Sequence, residues 1–464
     1  MTDRRRPGFV LLTLAAGEGR ESVPAQLDVL VGAGRPATSL TGGRLDRAIS
    51  AAAGAFRATA VYHARRNLGR VGARSLGYGE LEETLGLSRT YRLEIADPTQ
   101  TERVVQTLRE FPMVESVAPE RLASTTSVAV ADPPVQREEV LAPYQLVRSA
   151  EALAIEPGDE RVIVAVVDSG VSLGHSELQR KLLSGYDVVD LGMGPINADT
   201  TLVGDSQGVD FAPVDDVGHG SHVAGVIGAQ GWQVPPGVAG RSLLLPIRVL
   251  AAAQVAGEGS VSGVGAISDI DLGVKVAADM GAQVINMSFG TPAASLDPGA
   301  DPPHRAVIAY ARAQGCVMVA AAGNSGREEK YFPAADPSVI GVGSVDLDGG
   351  RSPFSTYGPH LALSAPGEDV IGVGRRGYRR ATGTSHAAPF VAGAAALLLA
   401  RARRRGATLT ADRVRSVLTV SAQRSHSPPA EVGAGVLDIA AALDLLETEL
   451  NSAGVTRGKE PDHD

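Results

Sequence analysis

The stretch Arg161-Val162-Ile163-Val164-Ala165-Val166-Val167-Asp168-Ser169-Gly170 decides the fold of this chain of 464 residues. A near-continuous run of β-branched residues is typical of a strand that is buried on both faces of a parallel sheet. Similar apolar runs alternate with helical patterns further along, at 243–249, 284–287, 317–320 and 339–342. This alternation predicts an α/β fold over residues 143–445, with a doubly wound, mostly parallel sheet and helices on both faces.

Residues 1–126 have a different pattern, which predicts a small α+β domain that precedes the larger one. The pattern is clearest at 88–126, where a strand-like alternation at 90–95 is followed by helical spacing and a second strand at 114–119. Residues 127–142 contain Pro133-Pro134 and several charges, which predicts a linker with a processing region. Residues 446–464 are expected to be a disordered tail.

The composition narrows the function classes. The chain has 44% apolar and 20% charged residues and a net charge of −9, which is typical of a soluble protein and disfavours a nucleic-acid partner. No apolar run approaches the roughly 20 residues that span a bilayer, so we expect no membrane partner. Cys316 is the only cysteine, which excludes an intramolecular disulfide and a zinc cluster of thiolates.

The N-terminus leaves the localisation open. Arg4-Arg5-Arg6 followed by the apolar residues 9–16 imitates a secretion signal. The apolar stretch is short, however, and the first strand of a folded segment explains it equally well. We favour the strand and a cytoplasmic location, with secretion as the alternative.

Three polar residues lie at positions that suit catalysis, although each has a simpler interpretation. Asp168 directly follows a predicted strand, at the edge where open α/β sheets bind ligands, but it could be a helix cap. His219 opens a helix of small residues, and His222 follows three residues later. Two histidines at this spacing could indicate a metal site, but the glutamate of a zinc-protease helix is absent. Ser385 begins another helix, where it could be a cap or a nucleophile near the helix dipole.

Asn324 follows a further apolar strand, in Ala321-Ala322-Gly323-Asn324-Ser325-Gly326. Its side-chain amide could donate a hydrogen bond to a developing oxyanion. A residue of a tight turn is the alternative interpretation.

The order Asp, His, Ser and several motifs together resemble the subtilase family of serine proteases. The motifs are Val166-Val167-Asp168-Ser169-Gly170, Gly218-His219-Gly220-Ser221-His222-Val223-Ala224-Gly225, Asn286-Met287-Ser288-Phe289-Gly290, the Asn324 segment and Gly383-Thr384-Ser385-His386-Ala387-Ala388-Pro389. The resemblance implies a catalytic triad of Asp168, His219 and Ser385, and an oxyanion hole that contains Asn324. It also implies an extended substrate-binding site at Gly259, Ser260, Val261, Ser288, Phe289, Gly290, Ala322 and Gly323.

Residues 90–124 are similar to the second half of a subtilase propeptide. This implies that the N-terminal domain acts as an intramolecular inhibitor, that its end lies in the substrate cleft, and that processing occurs at 122–140. The expected protein is therefore a serine endopeptidase made as a zymogen, which binds protein or peptide substrates as an extended strand. A peptide ligase or macrocyclase on the same fold, or an inactive binding pseudoprotease, are the alternatives.

Some positions depart from the family pattern. His386 follows the nucleophile where the family usually has methionine, and Ala362 stands where family calcium sites often have an aspartate. Glu177 could ligate calcium, but a solvated surface acid is the favoured interpretation. We expect no obligatory metal and no cofactor. Residues 327–333 are expected to line the pocket for the substrate residue that precedes the cleaved peptide bond. We expect that substrate residue to be apolar or aromatic.

Overall fold

The structure is a computed structural model that describes residues 4–20, 22–68, 77–125, 128–129, 137–207, 212–257, 259–297 and 299–457. Its N-terminal domain consists of β1 (Arg5–Leu14), α1 (Gln26–Leu30), α2 (Arg44–Ala53), β2 (Phe56–Ala60), α3 (Glu80–Thr84), β3 (Thr90–Ile95), α4 (Thr101–Arg109) and β4 (Val114–Ser124). The strands are antiparallel, in the order β2-β3-β1-β4. Val10, Leu12 and Leu14 alternate with more exposed residues along β1 and face a core that α2 and α4 cover. The apolar stretch near the N-terminus therefore lies in β1.

The larger domain follows a short strand, β5 (Val128–Ala129). Its strands are β6 (Ile163–Asp168), β7 (Tyr186–Asp187), β8 (Thr200–Leu202), β9 (Leu243–Arg248), β10 (Ala251–Val255), β11 (Val261–Ala266), β12 (Val284–Met287), β13 (Thr291–Pro292), β14 (Val317–Ala321), β15 (Tyr331–Phe332), β16 (Val339–Val345), β17 (Leu361–Pro366), β18 (Val370–Val373) and β19 (Tyr378–Thr382). Its helices are α5 (Arg137–Leu146), α6 (Ser149–Ile155), α7 (His219–Gly228), α8 (Ile267–Asp279), α9 (Arg305–Ala313), α10 (Thr384–Arg404), α11 (Ala411–Val420), α12 (Pro429–Val432) and α13 (Ile439–Arg457).

The central sheet is parallel, with seven strands in the order β17-β16-β14-β12-β6-β9-β7. Successive residues of β6 face opposite cores: Val164 and Val166 contact the core under α7 and α10, and Ala165 and Val167 contact the core under α8 and α9. A strand that is covered on both faces needs apolar residues at every position, as the sequence of β6 has. The predicted doubly wound fold is confirmed.

A second sheet joins the two domains. Its seven strands have the order β2-β3-β1-β4-β11-β10-β8, so the last strand of the N-terminal domain pairs with β11 of the larger domain. The pairing is antiparallel, with Leu122 opposite Ala266 and Ser124 opposite Val264. The end of the N-terminal domain is therefore held by main-chain hydrogen bonds along one edge of the larger domain.

Buried charges hold the same interface together on α8. Asp269 accepts a hydrogen bond from Arg92 of β3 at 3.1 Å and from Gln26 of α1 at 2.6 Å. Nζ of Lys275, six residues further along α8, lies 2.7 Å from Oε1 of Glu82 in α3. Burial raises the pKa of Asp269 to about 7 despite the attraction of Arg92, so the charged form of this carboxyl depends on Arg92. The N-terminal domain is thus oriented by ion pairs that are shielded from water.

Two predicted boundaries are wrong. Helix α5 begins at Arg137, inside the predicted 127–142 linker, and its Val140 and Tyr144 are buried in the main core. The predicted tail, 446–464, is helical as far as Arg457, because α13 packs Leu446 into the same core. The rest of the predicted tail, 458–464, lies outside the described residues, as do 127 and 130–136 of the linker.

Helix α10 is the one helix among the described residues that is long and apolar enough to cross a membrane. In this fold 89% of its apolar window is buried inside the protein. It is the central core helix against which α7, α11 and α13 pack.

Replacing Arg92 by alanine is predicted to destabilise the protein by about 3–5 kcal/mol, because Asp190 and Asp269 would lose the cation that they share. Asp269, whose pKa burial already raises to about 7, could then stay buried at neutral pH only by taking up a proton. Denaturant unfolding at neutral pH measures this loss, in the Ser385→Ala background so that the expected peptidase activity cannot interfere. Arg103→Ala, on the exposed face of α4, is the control and should change the free energy of unfolding by less than about 0.5 kcal/mol. An equally small change for Arg92→Ala would contradict the interpretation.

Candidate active site

Asp168 and His219 meet at the carboxyl edge of the central sheet. Asp168 ends β6, and its Oδ1 lies 2.7 Å from Nδ1 of His219, the first residue of α7. Both side chains are buried, and the Ser169 N–H also donates to Oδ1 at 2.7 Å. Because a carboxylate only accepts, this bond puts the imidazole proton on Nδ1 and leaves Nε2 as a hydrogen-bond acceptor.

Glycines make this approach possible. A Cβ atom on Gly220 would lie 2.1 Å from the carbonyl oxygen of Gly170, so the start of α7 packs on the turn after Asp168 only with glycine there. Gly218, just before the helix, has a φ of +89°, which favours glycine. The glycines that flank His219 are therefore needed for its position relative to Asp168.

Asp215 organises the same region and was not among the predicted site residues. Its carboxylate accepts hydrogen bonds from the N–H groups of Val217, Gly218 and Ser221 and from the hydroxyls of Ser169 and Ser221. Burial raises the pKa of Asp215 in spite of these donors. An acid shortly before a helix that begins with histidine is a capping pattern, and that signal could have identified it.

Ser385 is the second residue of α10 and is held by Ser288. Its Oγ donates to the Ser288 carbonyl at 2.9 Å, and the Ser288 hydroxyl donates to the Ser385 carbonyl at 3.0 Å. The second bond is possible because Pro389, four residues on, has no N–H to give to the Ser385 carbonyl.

The structure does not record a hydrogen bond between Ser385 and His219. Nε2 of His219 has no hydrogen-bond partner among the described residues, and the Ser385 hydroxyl points to Ser288 instead. The ring of His386, next in sequence to Ser385, has its centroid 5.3 Å from that of His219. The two predicted residues thus lie at the same edge of the sheet, without direct contact in this state.

Asn324 is oriented by the start of α10. Its Oδ1 accepts both the N–H and the hydroxyl of Thr384, each at 2.9 Å. Because the amide group is planar, its NH2 group is turned away from Thr384. Thr384 was not among the predicted site residues, and it links Asn324 to the helix that carries Ser385.

The rings of His219, His386 and His222 lie next to one another in tilted and edge-on contacts. His386 is in edge contact with His222, with centroids 4.4 Å apart, and His222 Nε2 donates to the Val370 carbonyl at 2.9 Å. Burial lowers the pKa of His222 to about 3 and that of His386 well below its usual value. Both rings are therefore neutral, and His222 is a hydrogen-bonded packing residue.

A cleft beside Ser385 is occupied by the end of the N-terminal domain. The Thr125 N–H donates to the Gly263 carbonyl at 2.8 Å, and the Gly290 N–H donates to the Ser124 carbonyl at 3.3 Å. Residues 122–125 therefore lie as an extended strand between β11 and the segment Ser288-Phe289-Gly290. This strand is the end of the N-terminal domain, the segment that the resemblance implied would lie in the cleft.

A second strand pairing follows in the described chain at Val128. In β5, Val128 lies opposite Thr382 and Ala129 lies opposite Ala381 of β19. Thr382 is three residues before Ser385 in sequence, so this pairing involves the strand that leads into α10.

The cleft register differs from the prediction at Gly259, Ser260 and Val261. The edge that pairs with the N-terminal domain begins at Gly263, while Val261 pairs with Gln254 inside the β10–β11 hairpin. A Cβ on Gly259 would meet no atom within 4 Å, which places it in open space. The three residues Gly259, Ser260 and Val261 were too short a segment to identify which part of β11 forms the edge.

Ala322 and Gly323 are bound to the scaffold. The Ala322 N–H donates to the Val342 carbonyl at 3.0 Å, and the Gly323 N–H donates to the Thr384 hydroxyl at 3.1 Å. Their main-chain donors are thereby directed into the protein, and they border the site through their position beside Asn324.

Glu177 is fully buried, so its interpretation as a solvated surface acid is wrong. Its carboxylate accepts the N–H groups of Gly231, Trp232 and Gln233 at 2.7–3.2 Å. Although burial acts to raise the pKa of Glu177, these donors outweigh it and hold the pKa below its usual value. A calcium ion needs oxygen ligands at such a loop, whereas this loop presents N–H groups to a carboxylate. The residues present therefore do not fit a calcium site.

Comparison with known proteins places the chain among serine proteases. Residues 159–435 match the subtilase family, peptidase S8. A thermophilic serine proteinase from Bacillus sp. strain AK1 is 36% identical over 258 residues, which cover 54% of this chain and 56% of that protein. Thermitase from Thermoactinomyces vulgaris is 32% identical over 263 residues, which cover 56% of this chain and 82% of that protein.

A similar fold occurs in the crystal structure of a mutant of the epidermin leader peptide processing serine protease from Staphylococcus aureus. The TM-score is 0.62 at 20% sequence identity, and the match covers 77% of this chain and 92% of that chain. At this identity the likeness supports the fold alone.

Replacing His386 by methionine is predicted to weaken the loss of stability in acid. Below the unfolded pKa of a histidine, about 6.5, the unfolded chain takes up a proton that a folded histidine with a lowered pKa does not. The free energy of unfolding therefore falls by about 1.4 kcal/mol for each pH unit below 6.5 and is unaffected above it. Between pH 7 and pH 5 the free energy of unfolding should therefore fall by about 2 kcal/mol less in His386→Met than in the parent, both carrying Ser385→Ala. His426→Gln, which removes an exposed histidine, is the control. Equal losses for His386→Met and its parent would contradict a neutral, buried His386.

Proposed function

This chain belongs to the subtilase family and is a serine-type endopeptidase, and from that premise we propose that Asp168, His219 and Ser385 form its catalytic triad. Its substrates are proteins or peptides. The single observation that carries the proposal is the 2.7 Å bond between Asp168 and His219 at the sheet edge that also presents Ser385.

The first chemical step transfers a proton from Ser385 to His219. A rotation of the Ser385 side chain about χ1 exchanges its bond to the Ser288 carbonyl for one to Nε2 of His219, the acceptor that the Asp168 bond prepares. The hydroxyl oxygen then attacks the carbonyl carbon of the substrate, and Asp168 stabilises the imidazolium that forms. His219 returns the proton to the leaving amine, and a water molecule hydrolyses the acyl-enzyme by the same steps in reverse order.

The negative charge on the attacked oxygen is stabilised by donors at the start of α10. The Ser385 N–H lies in the first turn, where N–H groups have no partner within the helix, and the helix dipole adds to its effect. Asn324 supplies the second donor, because Thr384 fixes its amide with the NH2 group turned outward. Loss of this one donor costs roughly 2.7–4 kcal/mol in subtilisin, a member of the same family.

The N-terminal domain acts as an intramolecular inhibitor until the chain cuts itself. Residues 122–125 use the main-chain groups of β11 and Gly290 that a substrate strand would need, so no substrate can bind while they remain. The pairing of Val128 and Ala129 with β19 supports binding of the same segment on the leaving-group side. The bond that is cut therefore lies between Thr125 and Val128, and the protein is a zymogen.

The reaction requires no cofactor in this proposal. Among the described residues, no group of three or more His, Cys, Asp or Glu side chains could hold a metal ion. The buried Glu177 stabilises its loop through main-chain N–H groups, which a cation would have to displace.

A fluorophosphonate probe is predicted to label the self-processed protein at one serine. Labelling should be absent in Ser385→Ala, which lacks the nucleophile, and in His219→Ala, which lacks the general base that both self-processing and labelling require. Ser242→Ala, which removes a buried hydroxyl just before β9 at the opposite edge of the central sheet, is the control and should still label. A chelator should leave the rate unchanged. Absence of labelling in the processed wild type would contradict the proposal and favour an inactive binding protein.

Self-cleavage is predicted to yield a product that begins at Thr126, Ser127 or Val128. The reason is that the described chain is strand-paired up to Thr125 along Gly263 and again from Val128 along the strand that leads to Ser385. N-terminal sequencing and intact mass of the purified chain measure the position, with Ser385→Ala as the uncut control. A cut elsewhere, or the same cut in Ser385→Ala, would contradict self-processing in this register.

A further inference from the structure

The space beside Ser385 is bordered by two main-chain segments. Ser288 contacts the Ser385 hydroxyl directly, and Asn324 contacts the residue before it, Thr384. The side chain that precedes the attacked carbonyl has to enter between these segments. Each segment has a glycine next to this space, Gly290 on one side and Gly323 on the other.

The ring of Tyr331 lies between these two glycines. A Cβ on Gly323 would lie 2.7 Å from Cδ2 of Tyr331, and a Cβ on Gly290 would lie 3.2 Å from Cδ1. The ring therefore contacts both walls: a side chain at Gly323 would overlap it, and a side chain at Gly290 would be crowded by it. Glycine at both positions is what leaves room for the tyrosine.

The main chain fixes the ring in this place. Tyr331 belongs to β15, which pairs antiparallel with β13, so that Tyr331 lies opposite Pro292. The Ala293 N–H also donates to the Lys330 carbonyl at 2.8 Å. Since β13 directly follows Gly290, the same pairing ties Tyr331 to the wall that it contacts. Burial raises the pKa of Tyr331, so its hydroxyl is neutral and brings no charge to the pocket.

We propose that Tyr331 is a specificity-determining residue that fills the pocket for the side chain before the cut, so that the enzyme cleaves after small residues. Glycine, alanine, serine and threonine fit at the mouth of the filled pocket, whereas phenylalanine, tyrosine and leucine would overlap the ring. This inference rests on the proposed peptidase function. It replaces the expectation of an apolar or aromatic residue, which took no account of the ring between the walls.

The chain's own cleavage segment agrees with a small pocket. The residues that would precede the three candidate bonds are Thr125, Thr126 and Ser127, none of which is large. An enzyme that has to process itself needs its own segment to satisfy its specificity.

The test compares self-processed wild type with Tyr331→Ala on peptide pairs that differ only in alanine or phenylalanine before the cut. Wild type should favour the alanine peptide by at least about 10-fold in kcat/KM, and Tyr331→Ala should raise the phenylalanine-to-alanine ratio by at least about 10-fold. Tyr357→Ala is the matched control, because this tyrosine stacks on Arg351, and it should leave the ratio unchanged. Tyr331→Leu, which keeps an apolar side chain at the site, should give an intermediate ratio if Tyr331→Ala fails to fold.

The outcomes separate the two proposals. A wild type that labels with fluorophosphonate but prefers phenylalanine or leucine before the cut overturns the pocket inference and leaves the peptidase proposal standing. A Tyr331→Ala enzyme that labels normally and keeps the wild-type ratio also overturns it. A processed wild type that neither labels nor cleaves any peptide overturns both proposals.

Discussion

The antiparallel pairing of residues 122–125 with β11 and Gly290 is the interaction on which the rest of the structure depends. Open strand edges present unpaired N–H and C=O groups that can bind an extended chain. Here the N-terminal domain supplies that chain, and its sheet becomes continuous with the hairpin of the larger domain. The same edges that would bind a substrate therefore hold the two domains together.

Helix α8 connects this pairing to the buried charges of the interface. It follows β11 without a loop, so Asp269 and Lys275 are held in a fixed relation to the strand that receives residues 122–124. Arg92, Gln26 and Glu82 of the N-terminal domain then pair with these two residues away from water. Such pairs add little net stability but penalise any other orientation strongly, because a displaced partner would leave a buried charge unpaired. These pairs thus help to hold residues 122–124 in the observed pairing register with β11.

Local patterns in the sequence were sufficient for the central sheet, because the apolar run of β6 has a physical explanation that does not depend on distant residues. The meeting of Asp168 with His219 was expected only from the resemblance to the subtilase family, since Gly220 is needed for a contact with Gly170, 50 residues away. Glu177, the β11 register and Tyr331 could not be predicted in this way. Glu177 is buried by a loop 54 residues away in sequence at Gly231, and Tyr331 has its effect through two glycines on separate segments. The helix over 446–457 was missed for the same reason, because it forms against α10.

Hydrogen–deuterium exchange of the Ser385→Ala chain tests the central claim most directly, because this variant keeps the N-terminal domain attached. Peptic peptides that cover 261–266 and 288–292 report on the two edges of the cleft. If residues 122–125 occupy the cleft, these peptides exchange slowly, and they exchange faster in Ser385→Ala/Thr125→Pro, which lacks the N–H that donates to Gly263. Rapid exchange of both peptides in Ser385→Ala, unchanged by Thr125→Pro, would contradict the account.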